Sequence, residues 1–339
     1  MKRLLSCICA RKSLWLFIIV LAIAAALLGS WRSWRFSGRQ MVRSTVIVER
    51  SSWYEIAVNG RPMLYFSDEK SDSVLGRLSV HRDSSVTLWR STGFWIDRWW
   101  LFPSCKGRVI TAFASAEKKV TTDIHQQLNH EKTRLKRLLK GLRLQDAELR
   151  YFLRAHGVQD EGYAMVANFE VGIASKLRDT RRLATLIDSI DTAKCTLSLR
   201  HKRLFKVFYR NDNGRIQQQM CKEKSISADG KLYLLQTQNK ETPAGASPLR
   251  WLPWHANDDG KVLVTGFGGL QEPLFTTYST HATIVPADKT GNACDISPVL
   301  AGDGSPVFTA HGWFMGCLLG GNVVHRTILS DLFNNEKQP

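Results

Sequence analysis

The distribution of hydrophobic and polar positions divides the chain into four segments. Residues 13–31 form an uninterrupted apolar stretch. Residues 44–113 consist of short β-branched and aromatic runs separated by turn residues, a pattern typical of strands. In residues 114–194 the apolar positions recur at helical spacing, and the strand pattern returns over residues 195–335. This order predicts a mainly β domain that is interrupted by a helical insertion.

Individual strands follow from the alternation of side chains and from the turn residues between them. Asn-Gly and Ser-Asp pairs separate the apolar runs of the first β segment, as expected for hairpins and short loops. The predicted strands cover residues 44–50, 54–67, 73–82, 85–96 and 107–114, and then 195–210, 231–238, 261–269, 276–286 and 312–324. Such a number of short strands is typical of a barrel or a sandwich.

The middle segment contains a leucine heptad. Its members are Leu128, Leu135, Leu142 and Leu149. After a break at Gly157 and Gly162, a second apolar stripe follows, formed by Met165, Phe169, Ile173, Leu177, Leu183, Ile187 and Ile190. Two helices joined by a short loop pack most simply as an antiparallel hairpin within one chain. The alternative is a coiled coil that pairs two copies of the protein.

The N-terminal stretch fits a membrane anchor. About nineteen residues without a charge, 13–31, are enough to cross a hydrocarbon core of roughly 30 Å. The basic residues of segment 1–12 predict that this tail stays in the cytoplasm and that the C-terminal part is exported, periplasmic or extracellular. The alternative is a cleaved signal peptide, since Ala24 and Ala26 are small residues two positions apart.

Composition narrows the classes of partner. The net charge is +17 and the isoelectric point is near 9.8, which favours anionic surfaces. The positive residues are dispersed and match no nucleic-acid motif, so nucleic acid is not expected as a partner.

The seven cysteines include no Cys-X-X-Cys pair, so no disulfide framework is implied. Neither a cofactor nor a metal is expected.

Three stretches carry motifs that bear on function. They are "STGFWIDRWWLFPSCKG" (91–107), "GKLYLLQTQNKETPAGASPLRW" (230–251) and "DISPVLAGDGSPVFTAHGWFMGCLLGG" (295–321). In this order they resemble the trypsin-like (chymotrypsin-fold) serine peptidases, especially bacterial forms with short loops. The resemblance implies a double β-barrel, with the helical segment inserted in the first barrel.

The resemblance also implies where a catalytic triad would stand. In the family, a Gly-Phe strand precedes a strand that ends in an Ala-His pair, and here the position of that histidine falls on Cys105. The position of the catalytic aspartate falls on Lys231, with Asp229 two residues away. In the nucleophile loop, alignment from Pro306 places Asp303 where the serine is expected.

None of these three residues supplies what serine-peptidase catalysis requires, namely a hydroxyl nucleophile, an imidazole base and a carboxylate that orients it. The sequence therefore predicts an inactive pseudoprotease that binds a protein partner or a peptide segment. An active peptidase would need Ser305 with His311 or His281 as base and Asp229, or a Cys105 thiolate. The turn at Gly302 and Gly304 matches the family's oxyanion hole. A third alternative is a membrane scaffold assembled through the helical hairpin.

Overall fold

A computed structural model describes seven ranges of the chain: 35–68, 75–97, 105–114, 123–190, 194–250, 260–270 and 280–334. The predicted anchor at 13–31 lies outside these ranges. Among the helices within them, none is long and apolar enough to cross a membrane. The described residues form two compact units. The first comprises residues 35–50, 89–97, 105–114, 205–250, 260–270 and 280–334, and the second comprises residues 51–68, 75–88, 123–190 and 194–204.

Strands make up most of the described structure. They are β1 Thr45–Val58, β2 Arg61–Phe66, β3 Thr87–Asp97, β4 Arg108–Ala112, β5 Leu197–Arg210, β6 Ile216–Ile226, β7 Leu232–Thr237, β8 Leu249–Arg250, β9 Lys261–Gly266, β10 Thr283–Thr290, β11 Ala293–Cys294, β12 Pro306–Thr309, β13 Phe314–Leu319 and β14 Asn322–His325. The helices are α1 Gly38–Ser44, α2 Ile124–Ala155, α3 Tyr163–Ser189 and α4 Arg326–Asn334, and a single 3₁₀ turn covers Arg82–Ser84.

The first unit contains two closed barrels. In the first, β1, β3, β4, β7, β6 and β5 are hydrogen-bonded in this order, and β5 returns to β1. In the second, the order is β9, β10, β11, β14, β13 and β12, and β12 returns to β9. If the six strands of each barrel are numbered along the chain, both barrels have the circular order 1-2-3-6-5-4. Two six-stranded barrels agree with the double β-barrel that the resemblance implies.

One hydrophobic cluster holds the two barrels together. Phe94 and Ile110 from the first barrel lie in the same buried cluster as Phe308 and Phe314 from the second. The Phe94 and Phe314 ring centroids are 5.3 Å apart. Helix α4 adds Leu329, Leu332 and Phe333 to this cluster. Since each fully buried side chain of this kind contributes about 1.5–3 kcal/mol, the shared cluster fixes one barrel against the other.

Several predicted elements differ from the observed ones. The predicted strands 44–50 and 54–67 are a single long strand, β1, followed by the hairpin partner β2. Residues 75–82 form turns and one isolated bridge rather than a strand. Strand β6 and helix α4 were not predicted, because the polar run at the start of β6 lacks an alternating apolar pattern.

The second unit contains an antiparallel helix pair, which follows β4 and precedes β5 in the chain. Helix α2 begins after Asp123, whose carboxylate accepts the N–H of His125 at 3.0 Å. The ion pairs Lys132–Asp188 and Arg150–Glu170 join early residues of α2 to late residues of α3, and late residues of α2 to early ones of α3.

The heptad leucines face the interior of this unit. Leu128 and Leu135 belong to its larger core cluster, and Leu142 packs with Ile173 and Leu177 across the helix pair. From Leu128 to Leu142, the predicted apolar stripe therefore packs against residues of the same chain. Met165 and Phe169 differ from the prediction, because they lie beyond these clusters and are 73% and 58% exposed.

A buried carboxylate ties helix α2 to the strand side of the second unit. Glu131 is fully buried, and its Oε1 accepts the backbone N–H of Leu75 at 3.0 Å. Its Oε2 accepts the guanidinium Nε of Arg134 at 2.8 Å. The charge is thus compensated and hydrogen-bonded, as burial of a carboxylate requires.

We expect Glu131→Ala to lower the free energy of unfolding by about 2–3 kcal/mol, because the buried Leu75 N–H and the Arg134 guanidinium lose their acceptor. Urea denaturation followed by helical circular dichroism measures this change. The matched control is Glu148→Ala, which removes an exposed carboxylate from the same helix and should change stability by less than about 0.5 kcal/mol. Equal effects of the two substitutions would contradict the role of Glu131.

Candidate functional site

The loop that resembles a nucleophile loop connects β11 to β12, and Asp303 lies at its centre. The Asp303 side chain is almost fully buried. Its Oδ2 accepts the N–H of Ala114 at 2.7 Å, and its Oδ1 accepts the N–H of Gly320 at 2.8 Å. Ala114 follows β4 of the first barrel, and Gly320 lies in the turn between β13 and β14 of the second. One carboxylate therefore connects the two barrels.

The backbone of Asp303 is bonded to the first barrel as well. Its carbonyl oxygen accepts the N–H of Thr92 at 3.1 Å and the hydroxyl of Ser91 at 2.8 Å. Both residues belong to β3 and are completely buried. The hydroxyl of Thr111, on the neighbouring strand, donates to the carbonyl of Thr92 at 2.8 Å. The Asp303 loop is thus held by a buried network of polar groups.

Backbone conformation and close packing require a glycine at position 304. Its φ is +77°, and a Cβ atom at this position would lie 1.9 Å from the carbonyl oxygen of Thr92. Its N–H donates to the carbonyl of Leu318 at 2.8 Å. The turn at Gly302 and Gly304 was predicted to retain an oxyanion hole, but the Gly304 amide is already engaged in this bond. Glycine is required here for close packing of the loop.

Ser305 is not placed for nucleophilic attack. The residue is fully buried, and its carbonyl accepts the N–H of Leu318 at 2.9 Å. A Cβ atom on Gly266 would lie 2.6 Å from the Ser305 hydroxyl, which shows how closely the second barrel encloses it. The hydroxyl oxygen has no hydrogen-bond partner among the described residues. A substrate carbonyl cannot reach an oxygen enclosed in this way.

The other two members of the alternative triad do not join Ser305. His311 is exposed in the turn after β12, and the four residues of that strand, about 13 Å in length, separate it from Ser305. Asp229 lies in the turn between β6 and β7, where it accepts the N–H of Lys231 at 3.2 Å and the hydroxyl of Ser227. Its carboxylate stabilises that turn.

The residue that faces Asp303 from the first barrel is Ala114, not Cys105. Cys105 is exposed and precedes β4, whereas Ala114 follows it, and the five residues of β4 span about 17 Å. The sequence alignment ended the second strand at Cys105, directly after residues 98–104, which lie outside the described ranges. The strand that pairs with β3 is Arg108–Ala112, and its terminal Ala112 was the signal that could have identified this register.

Lys231 does lie at the Asp303 end of the first barrel. Its carbonyl oxygen accepts the N–H of Phe113, the residue before Ala114, at 2.9 Å. The geometry therefore brings together the chain segments of Ala114, Lys231 and Asp303. These are an alanine, a lysine and an engaged carboxylate, so the set includes neither a hydroxyl nucleophile nor an imidazole base.

The surrounding side chains give no substitute nucleophile. Burial, with a smaller contribution from the charge of Asp303, raises the pKa of Cys317 to about 12, so that thiol stays protonated. Burial also raises the pKa of Cys221 to about 12.

Arg50 is buried with its guanidinium over the Phe113 ring at 4.3 Å, and it donates to the Tyr233 hydroxyl at 3.1 Å.

Comparison with known proteins adds little to this geometry. No protein-family model matches the chain, and no curated protein matches it. Among solved structures, Deg5 is similar over 86% of this chain and 88% of its own, with 10% identity and a TM-score of 0.36. The apo MamO protease domain from Magnetospirillum magneticum is similar over 38% of this chain and 74% of its own, with 14% identity and a TM-score of 0.26. The description of the fold rests on strand pairing instead.

We expect Asp303→Ala to lower the free energy of unfolding by about 2–3 kcal/mol, because two backbone N–H groups lose a charged acceptor. Asp303→Asn should cost less, since the amide keeps one acceptor oxygen. The control Asp288→Ala removes an exposed carboxylate from β10 and should be nearly neutral. Urea denaturation followed by tryptophan fluorescence compares the three. A neutral Asp303→Ala would contradict the structural role of this carboxylate.

Proposed function

We propose that this protein is a pseudoprotease, a non-catalytic relative of the trypsin-like peptidases whose double barrel binds a protein partner or a peptide segment. The observation that carries the proposal is the Asp303 carboxylate, which the sequence resemblance aligns with the nucleophile position and which is bonded to Ala114 and Gly320. Serine-peptidase chemistry needs a hydroxyl that an adjacent imidazole deprotonates. At this site an alanine faces a carboxylate that is already engaged.

The helix pair supplies a surface for a partner. Large apolar side chains are exposed around the turn between α2 and α3. They are Tyr151, Val158, Met165 and Phe169, each between 58% and 75% exposed. A concentration of exposed apolar side chains is typical of protein interaction surfaces. The same observation favours a second candidate function, a scaffold in which two copies of the protein associate through this helix pair.

The N-terminal stretch 13–31 places this function at a membrane in our proposal. The apolar length and the preceding basic residues support a single-pass anchor with the barrels on the exported side. A tethered binding protein samples partners close to the membrane surface, where it needs only moderate affinity because its effective concentration is high.

We expect the full-length protein to remain unlabelled by a fluorophosphonate probe, because Ser305 is enclosed and its hydroxyl has no hydrogen-bond partner among the described residues. Active trypsin serves as the positive control, and Ser305→Ala as the matched variant. In-gel fluorescence after incubation measures the labelling. Labelling of the wild type that disappears in Ser305→Ala would show an active serine and overturn the proposal.

A further inference from the structure

A cavity of about 450 Å³ lies in the first unit, away from the Asp303 loop. It is located where β1 begins, β5 ends and β10 begins. Its apolar wall includes Val42, Ile47, Trp95, Phe208, Phe267 and Ile284. Strand β3 contacts the Asp303 loop through Thr92 and reaches this cavity at Trp95. A volume of this size, with a mostly apolar wall, is typical of sites for small organic ligands.

Trp95 belongs to the apolar wall of the cavity. The side chain is completely buried, and its ring meets the ring of Tyr209 edge-on, with centroids 5.9 Å apart. An aromatic and aliphatic wall of this kind favours the apolar part of a ligand.

Charge indicates the chemistry of the ligand. Among the described residues, three arginines line the cavity, Arg39, Arg43 and Arg210, against a single carboxylate, Asp212. Arg43 pairs with Asp212 at 3.3 Å. Arg210 donates to the hydroxyl and carbonyl oxygens of Thr280 and to the carbonyl of Gly214, and its Nη2 lies 2.9 Å from Nε2 of His281, so these partners include no carboxylate. Burial raises the pKa of Tyr209, so its phenol stays neutral and adds no negative charge. The lining therefore has an excess of positive charge.

We propose that this cavity binds a small carboxylate with an apolar chain, whose chain contacts the wall and whose carboxylate lies among the arginines. An anionic head matches the excess of guanidinium groups. The chain replaces water against a wall of aliphatic and aromatic side chains. This site is separate from the proposed pseudoprotease function and does not depend on it.

Isothermal titration calorimetry of the full-length protein with decanoate tests the proposal, with decylamine as the probe of opposite charge. We expect saturable binding of one decanoate, and decylamine should bind at least about tenfold more weakly. Arg39→Gln changes an exposed arginine at the cavity and should weaken decanoate binding about tenfold. The control Lys261→Gln, an exposed residue of β9 outside the lining, should leave binding unchanged.

A cavity-filling variant and a photoreactive probe distinguish this site from other apolar surfaces. Ala246→Trp should abolish decanoate binding, and a diazirine derivative of decanoate should label peptides that contain Phe208 or Ile284. Absence of saturable binding, equal affinity for decylamine, or affinity unaffected by Arg39→Gln would overturn the proposal. Labelling confined to the exposed turn between α2 and α3 would also overturn it.

Discussion

The bonds of the Asp303 carboxylate to Ala114 and Gly320 are the interaction on which the rest of the barrel unit depends. They attach the end of β4 and the β13–β14 turn to one loop, so the two barrels have a fixed relation at this point. Hydrogen bonds to an ionised acceptor are roughly twice as strong as neutral ones. The aromatic cluster beneath the loop, with Phe94 against Phe314, supplies non-directional packing, whereas the carboxylate specifies which backbone groups meet.

In the function that we propose, this position also determines the lack of catalysis. In a serine peptidase the corresponding residue must present an unengaged hydroxyl to the substrate, and the first barrel must present an imidazole. Here the first barrel presents Ala114, and the loop uses its side chain to hold that same segment. Packing against Thr92 requires the tight turn at Gly304, whether or not the site catalyses a reaction. The structure alone can therefore require a loop that has the glycine and proline of a peptidase loop.

The sequence predicted the elements that are rich in apolar residues. Short β-branched and aromatic runs marked β3, β7 and β9, which are buried over most of their length, and the leucine heptad marked α2. Strand β6 was missed because its first residues, Gln217 to Gln219, are polar and its pairing depends on its neighbours in the barrel. Cys105 was aligned with the base position because strand boundaries were read from local pattern. The pairing of Gly93 with Thr111 shows the register, for which Ala112 was the available sequence signal. The cavity at Trp95 combines residues more than two hundred positions apart, which no local pattern could reveal.

Amide hydrogen exchange tests the central claim most directly, because it reports on the two N–H groups that the carboxylate accepts. Both groups lie near the surface, at Ala114 and Gly320, so their protection depends on Asp303 rather than on burial. The account predicts that both amides exchange slowly in the native protein and that both become fast together in Asp303→Ala, while the amide of Leu318, bonded to Ser305, stays slow. Fast exchange of Ala114 and Gly320 in the native protein, or protection that survives Asp303→Ala, would contradict it.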